Sequence, residues 1–265
     1  MSQVREPNIH LRVDPTNPGQ FFACCGLLEL ADRLWGGAEG WFYSQHFYLC
    51  VNGTLVELIE KLRNSSTTFF EEEGEPSIRP VKLDIFNLKL NWWLREDWSR
   101  FKNSPKNKRV GLMKTKLKFW AGNQTARQLV ENLQQAIAVP TKDEEEMYFG
   151  HRANISSRFG LDAGPAWTAL DVGFSLNEHL QIGVKASAAV ELLAAVGLQR
   201  CRPRIFDDFI DYATWGDPMM PLVLPAVVSG VIDAGIGTTF RTKIIERGSY
   251  SAFSYSHTIS KERYE

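Results

Sequence analysis

The sequence predicts an α+β protein, with mixed or antiparallel sheets packed on three to four helices. Three observations lead there. Short segments such as residues 9–13 and 81–90 alternate apolar and polar side chains, the mark of half-buried strands. Two stretches, around residues 18–35 and 185–198, carry apolar residues at helical spacing. Strands and helices follow one another irregularly, unlike the strict alternation of a doubly wound parallel sheet.

Taken in order, the first strand is Ile9, His10, Leu11, Arg12 and Val13, and a helix follows it at once. Asn17 suits the N-cap and Pro18 the first helical position. Phe21, Cys24, Cys25, Leu28, Ala31 and Leu34 form one apolar stripe, which Phe22, Leu27 and Leu30 widen until most of the surface is apolar; Gly36 and Gly37 end it. Such a helix is predicted to be buried against a sheet. Residues 41–51 read as a strand region, 55–63 as a short helix, and the acidic cluster 71–75 as an exposed loop. Residues 80–93 hold one or two strands. Ser104, Pro105 and Gly111 then break periodicity, so residues 100–124 are expected to form a loop or exposed hairpin before helix resumes near Thr125. Leu129, Val130, Leu133 and Ile137 mark that helix, with Asn123 or Thr125 as its cap. Strand residues are expected around 168–174, an apolar helix over about 185–198, and strands through the last third, including the apolar run 218–231 and residues 238–256.

At 265 residues, with 44% hydrophobic and 12% aromatic side chains, the chain can fill a sizeable core, read here as one domain over 1–265 with a basic central insertion around 100–127. No apolar run reaches the roughly 20 residues of a transmembrane helix, and residues 1–7 lack the features of a signal peptide, so the expected compartment is the cytoplasm with no membrane contact. Four cysteines, two of them adjacent, show neither a paired zinc spacing nor a disulfide framework; Cys24 and Cys25 read as buried small hydrophobes.

Charge carries the functional signal. The formal net charge is only -1, yet nine of the 30 basic residues fall within residues 100–127, where there is no acid. The rest of the chain therefore holds 21 bases against 31 acids, a balance of -10. Such a segregated patch reads as a phosphate site, the alternative being a solvated loop. Its cations are Arg100, Lys102, Lys106, Lys108, Arg109, Lys114, Lys116, Lys118 and Arg127, with Phe119, Trp120, Asn123 and Gln124 near its end. Cations hold backbone phosphates whatever the sequence, while rings stack on bases and amides read their edges. A second candidate is residues 149–160, where Arg152, Asn154, Ser156 and Arg158 supply donors and Gly150 and Gly160 permit close approach of a backbone; salt bridges to the acidic clusters would use the same arginines. Trp92, Trp93 and Trp98 read as core or interface.

Enzymatic constellations are poorly represented. There is no phosphate-binding GxxxxGK[ST] loop, no HExxH, no GxSxG elbow, and residues 235–240 lack the third glycine of a dinucleotide fingerprint. Asp207, Asp208 and Asp211 would share one face if helical and could hold a metal, but a solvated helix face is the simpler reading. No catalytic residue, metal site or cofactor is expected.

Residues 14–31, Asp-Pro-Thr-Asn-Pro-Gly-Gln-Phe-Phe-Ala-Cys-Cys-Gly-Leu-Leu-Glu-Leu-Ala, followed by Trp35 and by Gly40, Trp41 and Phe42, resemble the opening of a CRISPR-associated family of type I-U (I-G) systems classed with the Cascade large subunits. Ser157, Arg158, Phe159, Gly160, Leu161 and Asp162, and then Val172, Gly173, Phe174 and Ser175, are similar to later parts of that family. The resemblance implies a non-enzymatic subunit of a crRNA-guided complex that binds target double-stranded DNA, recognises the protospacer-adjacent motif, supports R-loop formation and presents the site to a separate helicase-nuclease. Its partners would be that DNA, the crRNA-containing Cascade subunits and the helicase-nuclease. Two alternatives stay open: a crRNA-binding backbone subunit of the same complex, for which the resemblance implies an RNA-recognition-like unit, and a soluble enzyme acting on a phosphorylated metabolite.

Overall fold

The computed structural model describes residues 6–69, 75–97, 111–121, 124–155, 157–165, 185–232, 236–247 and 249–260. Arg100, Lys102, Lys106, Lys108, Arg109 and Asn123, with Trp98 and the expected strand at 168–174, lie outside the described residues.

The architecture is α+β, and every named strand pair is antiparallel. β1 (Ile9–Arg12), β2 (Glu39–Tyr43) and β3 (His46–Cys50) form one sheet in the order β1-β3-β2. With the helix between β1 and β2, this is the connectivity that opens an RNA-recognition-like unit. A fourth strand on the free edge of β1 would complete such a unit, and none is found among the described residues; the Arg12 amide there donates to the Glu146 carbonyl at 2.8 Å. β4 (Thr67–Phe69), β5 (Val81–Leu83) and β6 (Leu88–Leu90) form a second sheet, and β7 (Leu94–Asp97) pairs with β8 (Gly111–Lys114). β9 (Ala153–Asn154) pairs with β10 (Lys185–Ala186). The largest sheet runs β11 (Arg204–Ile205), β12 (Phe209–Ala213), β13 (Thr239–Arg247) and β14 (Tyr250–Phe253), with β15 (His257–Ile259) also on β13.

Two helices form the centre, α1 (Pro18–Trp35) and α4 (Ala188–Arg200). Asn17 caps α1 by accepting from the Gly19 amide, and Gly36, at φ 71°, ends it in a conformation most side chains avoid. Ser187 caps α4 through the Val190 amide, and all of residues 188–198 are buried. The two helices touch backbone to backbone. A Cβ on Gly26 would lie 2.0 Å from the Leu193 carbonyl oxygen, and one on Gly197 would lie 1.9 Å from that of Phe22. Each glycine thus receives the carbonyl one helical turn before the other glycine, a local two-fold relation. Glu29, 2% exposed on α1, is held by Arg200 of α4 and by Arg33 at 2.7 Å.

Three smaller helices complete the described set: α2 (Leu55–Asn64), α3 (Ala126–Ala136) and α5 (Leu224–Val228). Thr125, rather than Asn123, caps α3 in a reciprocal capping box with Gln128. The core is continuous from Ile9 of β1 to Phe253 of β14. One aromatic cluster joins Phe21 and Phe22 of α1 to Phe42, Tyr212 and Trp215; another joins Trp92, Trp93, Trp120 and Phe159.

Two segments depart from the sequence expectation. The apolar run 218–231 is turn and helix rather than strand, because Pro225 pre-sets the first helical turn and Leu224, Val227 and Val228 bury one face at spacings of three and four. Asp207, Asp208 and Asp211 lie on a turn and on β12, so they share no helix face; Asp211 is paired with Arg241 at 2.7 Å.

Candidate nucleic-acid interface

Two of the stretches that carry the family resemblance, around Asn17 and Asp162, meet at the N-termini of the two central helices, and residues 172–175 lie outside the described residues. The Asn17 side chain donates to Asp162 Oδ1 at 2.7 Å and accepts from the amides of Gly19 and Ala163 at 3.0 and 3.1 Å. An aspartate could not replace it there, because the contact with Asp162 needs a donor. Gly19 is required by packing: a Cβ would sit 2.6 Å from the Asp162 Cα. From α4, Glu191 accepts the amides of Gly160 and Leu161 on one oxygen, at 3.0 and 3.2 Å, and that of Asp162 on the other, at 3.1 Å. Its carboxyl is pushed up to about 7 by burial, with Asp162 adding and Arg158 and the amides opposing.

The arginines of this region serve the junction. Arg152 reaches Asp162 at 3.6 Å and lies against Gly164, where a Cβ would meet its guanidinium at 2.4 Å. Arg158 is half-buried and faces Glu191 electrostatically, while its Nη1 and Asp162 Oδ2 are buried without a hydrogen-bond partner. Gly160, at φ 82°, admits a close backbone: a Cβ there would lie 2.9 Å from the Ser251 carbonyl oxygen. Asn154 is exposed on β9, opposite Lys185. Of the second candidate set, then, Arg152 meets the buried Asp162 and Arg158 acts electrostatically on the buried Glu191.

The basic run is anchored where it is described. β7 and β8 form an antiparallel pair, and the connecting residues 98–110 include Arg100, Lys102, Lys106, Lys108 and Arg109. At its base, Lys114 pairs with Glu75 at 3.0 Å and Lys116 with Asp207 at 3.1 Å. Lys118 bonds the Trp120 carbonyl and covers its ring, and burial beside Lys114 pushes its amine down. Arg127 pairs with Glu131 at 2.7 Å and lies over Phe69. Gln124 is half-buried, one residue before the α3 cap. Phe119 and Trp120, expected beside the cations as base-stacking rings, are instead core residues at 1% and 2% exposure, packed on Phe253 and on Trp92 and Trp93.

Among the described residues no group of three His, Cys, Asp or Glu is placed to hold a metal ion, and no helix is long and apolar enough to cross a membrane. Cys24, Cys25, Cys50 and Cys201 are buried, and burial pushes the thiols of Cys24 and Cys25 well up, away from nucleophilic use. Comparison with family models, with curated proteins and with solved structures finds no match for this chain.

Proposed function

We propose that this chain is a non-catalytic, nucleic-acid-binding subunit of a type I CRISPR surveillance complex of the I-U (I-G) kind, acting in the cytoplasm on target double-stranded DNA. In this reading it recognises the protospacer-adjacent motif, supports R-loop formation and presents the site to the helicase-nuclease, while the crRNA-containing subunits supply sequence specificity by base pairing. The observation that carries the proposal is the segregation of nine acid-free cations along the sequence, five of them in the chain between the paired strands β7 and β8. Arg100, Lys102, Lys106, Lys108 and Arg109 connect two paired strands whose base is tied to the body by Lys114, Lys116 and the buried Trp120. A charge-segregated insertion on a fixed base is suited to gripping phosphates without spending core residues on the task. Asn123 and Gln124 are the proposed readers of the adjacent motif.

The test is target-duplex binding by the assembled complex over a range of salt. Each phosphate contact adds roughly 0.9 to the slope of log K against log salt, so replacing Lys106, Lys108 and Arg109 together by Ala should lower the slope by about 2 to 3. An unchanged slope would overturn the assignment of this stretch to phosphate binding. Loss of guide RNA from the purified complex, with target contacts intact, would favour the backbone-subunit reading.

A further inference from the structure

A second surface, far along the chain from the basic run, is segregated in the opposite sense. Between Arg204 and Arg241 there is no Lys, Arg or His, while Asp207, Asp208, Asp211, Asp217 and Asp233 supply acid, and residues 218–232 carry no charge at all. Exposed apolar side chains gather in the same stretch. Of the twelve large hydrophobics exposed among the described residues, six are Met220, Leu222, Val223, Val231, Ile232 and Ile236, with Leu222, Val231 and Ile236 at 76%, 79% and 96%. Scattered singly such side chains are ordinary, but six in one short stretch mark an interaction surface.

The fold holds this stretch in place. α5 buries Leu224, Val227 and Val228, which fixes the stretch to the core and leaves the other apolar residues facing out. The amides of Val231 and Ile232 both donate to the Ala226 carbonyl, at 2.8 and 3.0 Å, so the chain leaving α5 folds back on it. Ahead of α5, the Val223 amide donates to the Met220 carbonyl at 3.2 Å and closes the turn that carries Leu222. Met219 and Gly40 of β2 exchange both backbone hydrogen bonds at 3.0 Å, and Ile236 lies beside Gly216, where an added Cβ would come 3.5 Å from its own. These contacts put two acids beside the apolar residues: Glu39, next to Gly40, and the exposed Asp217, next to Gly216. Neither makes an ion pair among the described residues.

We propose that this surface docks a neighbouring protein subunit that presents an apolar face bordered by Lys and Arg, an inference that rests on the reading of the chain as part of a multi-subunit complex. Charge selects that occupant. Acids at the border repel nucleic-acid phosphates and the anionic headgroups of a bilayer. A second copy of this chain meeting the same surface by two-fold symmetry would set Glu39 and Asp217 against acids of its own kind. A cationic border on the partner turns that repulsion into steering, and the apolar centre supplies the affinity. The chain then keeps its two tasks apart, with phosphates at the basic insertion and the subunit contact around α5.

The experiment has two arms, each on wild type, L222S/V231S/I236S and D217K, with matching thermal unfolding to check that these exposed substitutions leave the fold intact. In the first, the free chain is titrated with a synthetic amphipathic helix of Leu and Lys and with the same helix carrying Glu for Lys. Wild type should bind the Lys helix about 10-fold or more tighter than the Glu helix, the triple variant should lose about 10-fold or more in affinity for the Lys helix, and D217K should narrow the preference. In the second arm, native mass spectrometry counts this chain in the assembled complex, from which the triple variant should be largely absent. Equal binding of the two helices by wild type, equal binding of the Lys helix by wild type and triple variant, or a triple variant retained in the complex like wild type would overturn the docking surface and leave the subunit reading standing. Wild type missing from the complex, with helix binding that depends on Leu222, Val231 and Ile236, would overturn the subunit reading and leave the surface standing.

Discussion

Gly26→Ala separates helix propensity from packing, because the two predict opposite signs. In an isolated helix, alanine is about 1 kcal/mol better than glycine. In this fold the new Cβ would stand 2.0 Å from the Leu193 carbonyl oxygen, about 1.4 Å inside the ordinary 3.4 Å contact limit. The obstacle is backbone of a buried helix, so no side-chain rotation relieves it. α1 and α4 must move apart, and the separation is felt by the buried Phe21, Phe22, Leu27, Leu192 and Val196 around the crossing. Overpacking of this kind costs about 1 to 3 kcal/mol, and more where both partners are backbone, so a net loss of about 2 kcal/mol or more is expected. Urea unfolding of the purified chain measures it. Gly197→Ala, against the Phe22 carbonyl at 1.9 Å, should behave alike, and the double variant should lose less than the sum because the first methyl has already opened the crossing. Unchanged or raised stability in Gly26→Ala would refute the backbone contact.

Two further outcomes follow from the same centre. Leu28, fully buried on α1, should cost about 2 to 5 kcal/mol on truncation to Ala, measured by the same unfolding curves; wild-type stability would show that α1 docks on a partner rather than on the core. Glu191 should make stability depend on pH: its folded value of about 7 lies above the ordinary 4.5, so the native state keeps a proton that the unfolded chain has already released. Its contribution is fully present below about 4.5, is lost as pH rises to about 7, and is flat above. Glu191→Gln should flatten that segment of the stability profile, and a slope unchanged by the substitution would assign it to another group.

Local chemistry made α1 legible in the sequence. Asn17, Pro18 and Gly36 act on the backbone within a few residues, so its boundaries needed no tertiary information, and its broad apolar surface correctly announced burial. What escaped the sequence depends on contacts far along the chain. Phe119 and Trp120 looked like stacking rings because cations precede them, but Phe253, Trp92 and Trp93 claim them for the core. Asp211 read as helical spacing until β13, 30 residues on, supplied Arg241. From sequence Arg152 and Arg158 suit either a phosphate or a salt bridge, and only the distant Asp162 and Glu191 give them partners: Arg152 lies 3.6 Å from Asp162 and Arg158 acts electrostatically on Glu191.

The pairing of α1 with α4 also bears on how the protein is made. Glu29 and Arg200 are 171 residues apart, and α1 has almost no polar face to show to water in the interval. At roughly 5 to 20 residues per second on the ribosome, the first helix waits on the order of 10 to 30 seconds for the second. Throughout that time a nascent chain carries an eighteen-residue greasy segment with its natural cover not yet synthesised. Holdase chaperones at the exit tunnel are therefore expected to engage this protein early, and expression at lowered temperature, where hydrophobic association weakens, should raise the recovered fraction.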